Sequence, residues 1–316
     1  MAGSDDSGSG GKPAQGLGLW SNAMRAPFFT ASIVPVLLGG SVAYFEAGVF
    51  DPLNFILTAL GVVSLHAGGN MFNDYFDYKS GADILNESPT PFSGGSRVLV
   101  DGLLKPGTIL AASIIATVLG LALGGFLALR LGPVIVVLGL LGVICGLAYS
   151  APPFKLAYRG LGEVVVALVF GPLITTGSYY AQTGSLTHAP VIASLPIAIL
   201  IAAALYINEF PDYEADKKAG KNQIVVQLGL RRAVNGYGLL LSTTYVIILL
   251  GVVSGDMPLL ALLGLLTIPQ AMKAYGLLKK HHKDIPNLLP ANALTIKIHL
   301  QTGLLLSLGY IASALY

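Results

Sequence analysis

Apolar residues run along this chain in blocks too long for a soluble core. Nine blocks stand out, over residues 27–46, 53–73, 108–129, 133–150, 162–182, 190–208, 234–254, 257–276 and 294–316. Crossing the hydrocarbon of a bilayer takes about 20 apolar residues in a helix. Backbone amides in lipid must also find partners inside their own structure, and runs of this length supply them only as helices. The pattern therefore predicts an all-α integral membrane protein of nine transmembrane helices joined by short loops. Residues 1–16 are rich in Gly, Ser and Asp and predict a disordered tail, without the basic start and apolar core of a signal peptide. The remainder, residues 17–316, reads as a single nine-helix domain.

Composition narrows the class further. Of 316 residues, 54% are hydrophobic and 11% charged, less than half the roughly 25% charge of soluble domains. That excludes an ordinary soluble enzyme. The single cysteine, Cys145, lies inside an apolar block, which rules out an internal disulfide and a Cys-based metal cluster. A net charge of +2 carries no nucleic-acid signal.

The placement of the charges is more informative than their number. On the nine-helix map, 17 of the 18 Lys and Arg fall on one side, and only Arg130 falls on the other. By the positive-inside rule that face is cytoplasmic, with the N-terminus inside and the C-terminus outside a cell membrane. Of the 16 acids, 13 are on the same face, the exceptions being Glu46, Asp51 and Asp256. Orientation accounts for the basic residues there. It does not account for the acids, because Asp and Glu contribute little to topology.

Two acidic segments continue apolar helices. In the first, Asn70, Asn73, Asp74 and Asp77 fall at i, i+3, i+4 and i+7 and share a helical face, and Asp83 lies beyond Gly81, where the helix is expected to end. In the second, Asn208, Asp212 and Asp216 fall at i, i+4 and i+8. Like charges at this spacing repel, and near lipid their desolvation adds to the cost, so a cation is expected to compensate. Carboxylate and amide oxygens suit Mg²⁺, which commonly binds one or two carboxylates together with substrate phosphates. One such segment is equally well a solvated helix end; two in the same Asn-x-x-x-Asp frame favour a shared metal-diphosphate site. Arg97, in a loop with Gly94 and Gly95, and Lys155, Arg159, Lys217 and Lys221 lie on this face too. Each alone reads as a topology determinant. Together they supply ligands for phosphate oxygens.

These residues resemble the UbiA-type intramembrane prenyltransferases. The matches are Asn73-x-x-x-Asp77 with Asp83 beyond, Asn208-x-x-x-Asp212-x-x-x-Asp216, and Tyr149 through Lys155, over a chain resembling the family from about Arg25 to its end. Five residues separate Asp77 from Asp83, where the common family motif has three. That longer spacing, with Pro91 to Leu99, Arg159 to Glu163 and Asp212 to Lys221, is similar to the 1,4-dihydroxy-2-naphthoate polyprenyltransferase branch of menaquinone biosynthesis. The resemblance implies nine helices around a central cavity, a Mg²⁺-bound prenyl diphosphate donor and an aromatic acceptor.

On that basis Asn73, Asp74, Asp77, Asp83, Asn208, Asp212 and Asp216 are expected to hold Mg²⁺. Arg97, Lys155, Arg159 and Lys221 are expected to bind the diphosphate, with Arg97 and Lys155 the leading choices. Tyr149 is expected to shield the allylic cation with its ring face, and otherwise reads as an interfacial anchor. His66 and Asn70, four residues apart on one face, are expected to meet the acceptor, and His66 reads equally as a packing residue. Lys297 and His299 are secondary candidates, while Gly68 and Gly69 read as close-packing positions. Two further readings stand beside this one. One alternative acceptor is 4-hydroxybenzoate, homogentisate or geranylgeranylglyceryl phosphate, and a cation-coupled transporter is the alternative of another class. A transporter predicts acids at mid-helix depth, whereas here they cluster at helix ends.

Overall fold

The computed structural model describes residues 16–87 and 89–316. All but Gly16 of the expected N-terminal tail lies outside the described residues. Lipid-length apolar runs become helices, as the hydrogen-bonding demand of a bilayer requires, and no strand occurs among the described residues. Seven helices are long and apolar enough to cross a membrane: α1 (Ala26–Ala47), α2 (Pro52–Ser80), α3 (Pro106–Leu131), α5 (Gly162–Thr183), α6 (Ala189–Lys218), α7 (Leu230–Ser254) and α8 (Leu259–His281). The other two expected segments are also helical. One is the shorter apolar helix α4 (Val134–Ser150) and the other the 29-residue α9 (Ile285–Ser313).

The helix α6 is the most buried of the seven spanning helices. Of its apolar window 67% is buried, against 17% for α3, so α6 faces protein while α3 turns most of its surface outward. Small residues let the helices close on one another. A Cβ on Gly68 of α2 would lie 2.5 Å from Thr117 Oγ1 of α3, and one on Gly120 of α3 would lie 2.9 Å from the Gly61 carbonyl. Ser113 then donates to the Gly68 carbonyl at 2.8 Å. The expected packing role holds for Gly68; Gly69 meets nothing within 4 Å and lines a cavity instead.

Two helices overrun their apolar blocks, and the overrun carries the polar motifs. The helix α2 continues through Asp77 to Ser80 and is stopped by Gly81, whose φ of 83° is the left-handed cap that glycine provides. The helix α6 continues through Asp216 to Lys218 despite Pro211. Both acidic segments are thereby fixed on rigid helix. In α5 a π-helical turn over Val169–Leu173 contains Pro172. Proline lacks the amide proton that a regular helix would use, and π turns of this kind occur often at functional sites.

Candidate active site at the acidic end of the bundle

A cavity of about 410 Å³ opens between the two acidic helix ends, within the size range of small-molecule sites. Its polar end is bounded by Asn73, Asp77 and Asp83 on one side and Asn208, Asp212 and Asp216 on the other, with Lys221 between them. Farther in, the wall becomes apolar, formed by Leu57, Val62 and Leu65 of α2, Leu121 and Leu127 of α3, and Leu138 of α4. The space is amphipathic along its length: charged at the mouth, hydrocarbon-like below.

Lys221 is the electrostatic centre of the mouth. Its ammonium lies 3.5 Å from Asp77 and 3.8 Å from Asp216 and 5.4 Å from the centre of the Tyr158 ring. Burial alone would lower its pKa. The facing carboxylates of Asp77 and Asp216 more than offset burial and raise it well above the usual lysine value. Asp77 also accepts from Tyr158 Oη at 2.8 Å and from Asn73 Nδ2 at 3.2 Å. Across the mouth, Asp212 accepts from Asn86 Nδ2 at 2.7 Å and from the Gly94 amide at 3.2 Å. The loop after α2 is thus tied to α6.

Asp83 sits under that loop. Gly95, with φ 72°, passes so close that an added Cβ would lie 2.7 Å from Asp83 Oδ2. Burial, reinforced by the negative charges of Asp77 and Asp74, pushes the Asp83 carboxyl up to about 7. The second acidic helix end has an oxygen to spare as well, because Asp216 Oδ2 is buried without a hydrogen-bond partner. Hard oxygen donors in excess of the local positive charge suit a divalent cation such as Mg²⁺. Among the described residues, no three His, Cys, Asp or Glu side chains converge as a ready-made metal cluster. A cation completed by substrate phosphates does not need one.

The structure brings most of the sequence candidates to this cavity. Asn70, Asn73, Asp77, Asp83, Tyr149, Asn208, Asp212, Asp216, Lys221 and His66 all line it. Four do not. Asp74 turns aside to an ion pair with Arg25 and accepts from the Ser96 amide. Arg97 spends its guanidinium on the Asp83 and Asn86 carbonyls, at 3.1 and 3.2 Å, so it holds the loop in shape rather than facing the cavity. Lys155 lies over the far side chain of Tyr158, 5.1 Å from the ring centre, and Arg159 is exposed, donating to the Pro153 carbonyl at 2.9 Å. Lys221, not Arg97 or Lys155, is the lysine or arginine placed between the two motifs.

Other residues lining the site were not singled out from the sequence. Arg25, Asn86, Ser93, Glu209 and Gln223 line the cavity. Glu209 is buried, accepts from the Val225 amide at 3.2 Å and lies beside the buried Glu163 of α5. Its position next to Asn208 was the one signal available. Deeper in, His66 Nδ1 lies 2.8 Å from Ser32 Oγ, and Phe29 and Phe170 meet the imidazole edge-on at 5.5 and 4.7 Å between centroids. Phe170 is carried by the π turn of α5.

Helical fold and site together define an intramembrane protein with an oxygen-rich, cation-demanding mouth above a long apolar cavity. The chain belongs to the UbiA prenyltransferase family, whose model matches residues 32–296, a family of transferases of prenyl groups. It is 29% identical over 294 residues to a 2-carboxy-1,4-naphthoquinone phytyltransferase of Synechocystis, covering 92% of each chain. Identity to the 1,4-dihydroxy-2-naphthoate octaprenyltransferase of Bacillus subtilis is 28%, over 96% of this chain and 94% of that one. The mouse UbiA prenyltransferase domain-containing protein 1 is 30% identical, with 92% of this chain and 82% of that one covered. A solved UbiA homologue of Archaeoglobus fulgidus, bound to GPP and Mg²⁺, shares the fold with a TM-score of 0.59 at 17% identity, over 93% of this chain and 99% of that one.

Proposed function

We propose that this protein is a Mg²⁺-dependent intramembrane prenyltransferase that transfers a polyprenyl group from a prenyl diphosphate to 1,4-dihydroxy-2-naphthoate, with loss of CO₂, in menaquinone biosynthesis. The observation that carries this reading is the pair of acidic helix ends facing one another across Lys221, at the mouth of a cavity that turns apolar below. A diphosphate with a hydrocarbon tail has that same polarity. The naphthoate acceptor is favoured by the names of the Synechocystis and Bacillus relatives.

Asn73, Asp77 and Asp83 from one side and Asn208, Asp212 and Asp216 from the other are the residues that would hold Mg²⁺. The chemistry Mg²⁺ would supply there is an offset to the negative charge that develops on the departing diphosphate. Lys221 supplies a direct cationic contact to the same oxygens, in a partly desolvated position where that contact is strong. The allylic C–O bond breaks and leaves a carbocation. Tyr149, in the cavity wall near the mouth, offers its ring face to that cation. The apolar wall keeps water from quenching it, and the tail extends along α2, α3 and α4. His66 and Asn70 position the acceptor. The ring carbon bearing the carboxylate attacks, the new C–C bond forms, and the carboxylate departs as CO₂ with its bonding pair returned to the ring. Arg97, Lys155, Arg159 and Asp74 support the loops around this centre. The positive-inside rule puts the mouth and the N-terminus in the cytoplasm and the C-terminus outside, with residues 17–316 acting as one domain.

Full-length protein in lipid nanodiscs, given Mg²⁺, a prenyl diphosphate and single acceptors in turn, should prenylate dihydroxynaphthoate and release its carboxyl carbon as CO₂. Asp77→Ala and Asp212→Ala should each abolish transfer while expression and insertion persist. Product with a different acceptor alone would overturn the naphthoate assignment. Near-normal turnover in either Asp variant would sink the metal assignment.

A further inference from the structure

The cavity wall holds a second imidazole. His299 of α9 is 1% exposed and lines the cavity, and its Nε2 is buried without a hydrogen-bond partner. His66, by contrast, is held by Ser32 and edged by two phenylalanine rings. A buried nitrogen without a partner is destabilising, and a polar group on a ligand in the adjoining cavity would supply one.

Packing of α9 fixes where this nitrogen sits. One turn beyond His299, Gly303 lies against α1 and α6, where an added Cβ would stand 2.2 Å from Val34 and 3.5 Å from Ile197. His299 therefore reaches the wall near Ala31 of α1 and Ile201 of α6, both of which line the cavity. Two turns earlier, Asn292 donates to the Ile207 carbonyl and to Asn208 Oδ1, at 3.1 and 2.8 Å. His299 is seven positions after Asn292, which at 1.5 Å per residue puts His299 roughly 10 Å below the level of Asn208. His66 is likewise seven positions before Asn73, so His66 lies roughly 10 Å below the first motif. The two imidazoles thus occupy one layer of the cavity, on different walls, directly beneath the charged mouth.

We propose that His299 Nε2 is the hydrogen-bond partner of a hydroxyl or carboxylate on the aromatic acceptor, and that the acceptor ring lies in this layer between His299 and His66. The inference rests on the function proposed above and assigns the side chain that selects the acceptor's polar substituent. The amide of a glutamine at this position would present a donor close to where the imidazole Nε2 stands, whereas a leucine would fill the space without one.

The test uses full-length protein in nanodiscs with Mg²⁺ and prenyl diphosphate, comparing wild type, His299→Leu and His299→Gln. His299→Leu should raise the KM for dihydroxynaphthoate about tenfold or more while the donor KM stays within about twofold and the melting temperature is retained. His299→Gln should recover most of the loss. An acceptor KM unchanged in both variants, or a donor KM rising in parallel with it, overturns the assignment. Should His299→Leu fail to fold, wild-type protein carrying ¹⁵N-labelled histidine decides the matter. The His299 Nε2 resonance should shift on saturation with dihydroxynaphthoate in the absence of donor, and a resonance that does not move overturns the proposal. Wild-type protein that prenylates no acceptor would instead overturn the function on which the proposal rests. Wild-type turnover with insensitivity at position 299 removes only the His299 assignment.

Discussion

Replacing Lys221 with methionine removes the ammonium that Asp77 and Asp216 share while keeping most of the side-chain volume. The ammonium lies 3.5 Å from one carboxylate and 3.8 Å from the other, and its side chain is only 13% exposed. At an effective dielectric constant of 20 each contact amounts to about 4–5 kcal/mol of gross attraction. Most of that is spent on desolvating the three groups, so the net loss on breaking the arrangement is about 3–5 kcal/mol, the usual range when a buried charge loses its partner. Lys221→Met should therefore melt well below wild type at pH 8 in Mg²⁺-free detergent. Asp216→Asn placed on top of it should recover part of the loss, because one of the stranded carboxylates is then gone. A double-mutant cycle should give a coupling of about 1–3 kcal/mol. Mg²⁺ should stabilise Lys221→Met more than wild type, since freed carboxylates no longer compete with an ammonium, and a concentration of 100 times Kd contributes about 2.7 kcal/mol. Strictly additive variants, or a Lys221→Met protein that melts with wild type, would refute the placement of Lys221 between the motifs.

Three further outcomes test other parts of the site. Asp83 titrates at about 7 in the folded chain against about 3.9 when unfolded, so folding favours its protonated form. Stability without metal should fall as pH rises from about 4 to 7 and level off above, while Mg²⁺ affinity by calorimetry should rise from pH 6 to 8; Asp83→Asn should flatten both, and a pH-independent affinity in wild type would count against the role. Gly95→Ala forces a Cβ to 2.7 Å from Asp83 Oδ2 at φ 72°; it should cost about 1–3 kcal/mol in thermal stability and raise the Mg²⁺ concentration needed for half-maximal activity, and unchanged values of both would refute the close approach. Arg97→Lys cannot reproduce the two carbonyl contacts to Asp83 and Asn86; it should lower the melting temperature and weaken Mg²⁺ dependence with little change in donor KM, whereas a large rise in donor KM would return Arg97 to the list of diphosphate ligands.

The helices were legible because the bilayer imposes one demand on all of them. Each of the nine apolar blocks coincides with a helix, and Gly81 ends α2 where the helix was expected to end. The start of α9 was the largest miss among the helix starts. It begins at Ile285, where Asp284 accepts from the Asn287 amide, well before the apolar block at 294. Its first turns carry Pro286, Asn287 and Pro290, a capping signal that hydropathy does not register. Helix starts of this kind are written in side-chain chemistry rather than in apolar periodicity.

The site was legible to the extent that helical spacing alone could place it. At 100° per residue Asn70, Asn73 and Asp77 fall within about 60° of one another, and all three line the cavity. Asp74 lies at the edge of the same arc, about 60° from Asp77. There the choice between cavity and neighbour is made by whatever stands beside it, and Arg25, brought up by the short helix Leu17–Ala23 that precedes it, takes Asp74. The basic residues were harder to place because loops carry no period. Arg97 and Lys155 both adopt positive φ, 64° and 45°, a conformation uncommon for residues with a side chain. It turns Arg97 back on its own loop and leaves Lys155 beside Tyr158. Lys221 lies in a connection as well, yet its amide is bonded to the Asp216 carbonyl at 2.8 Å, so the turn that ends α6 delivers it to the acids of that same helix. A basic residue five positions after the last acid of a helix-end motif is thus placed by local geometry. One in a separate loop depends on the fold of the whole chain.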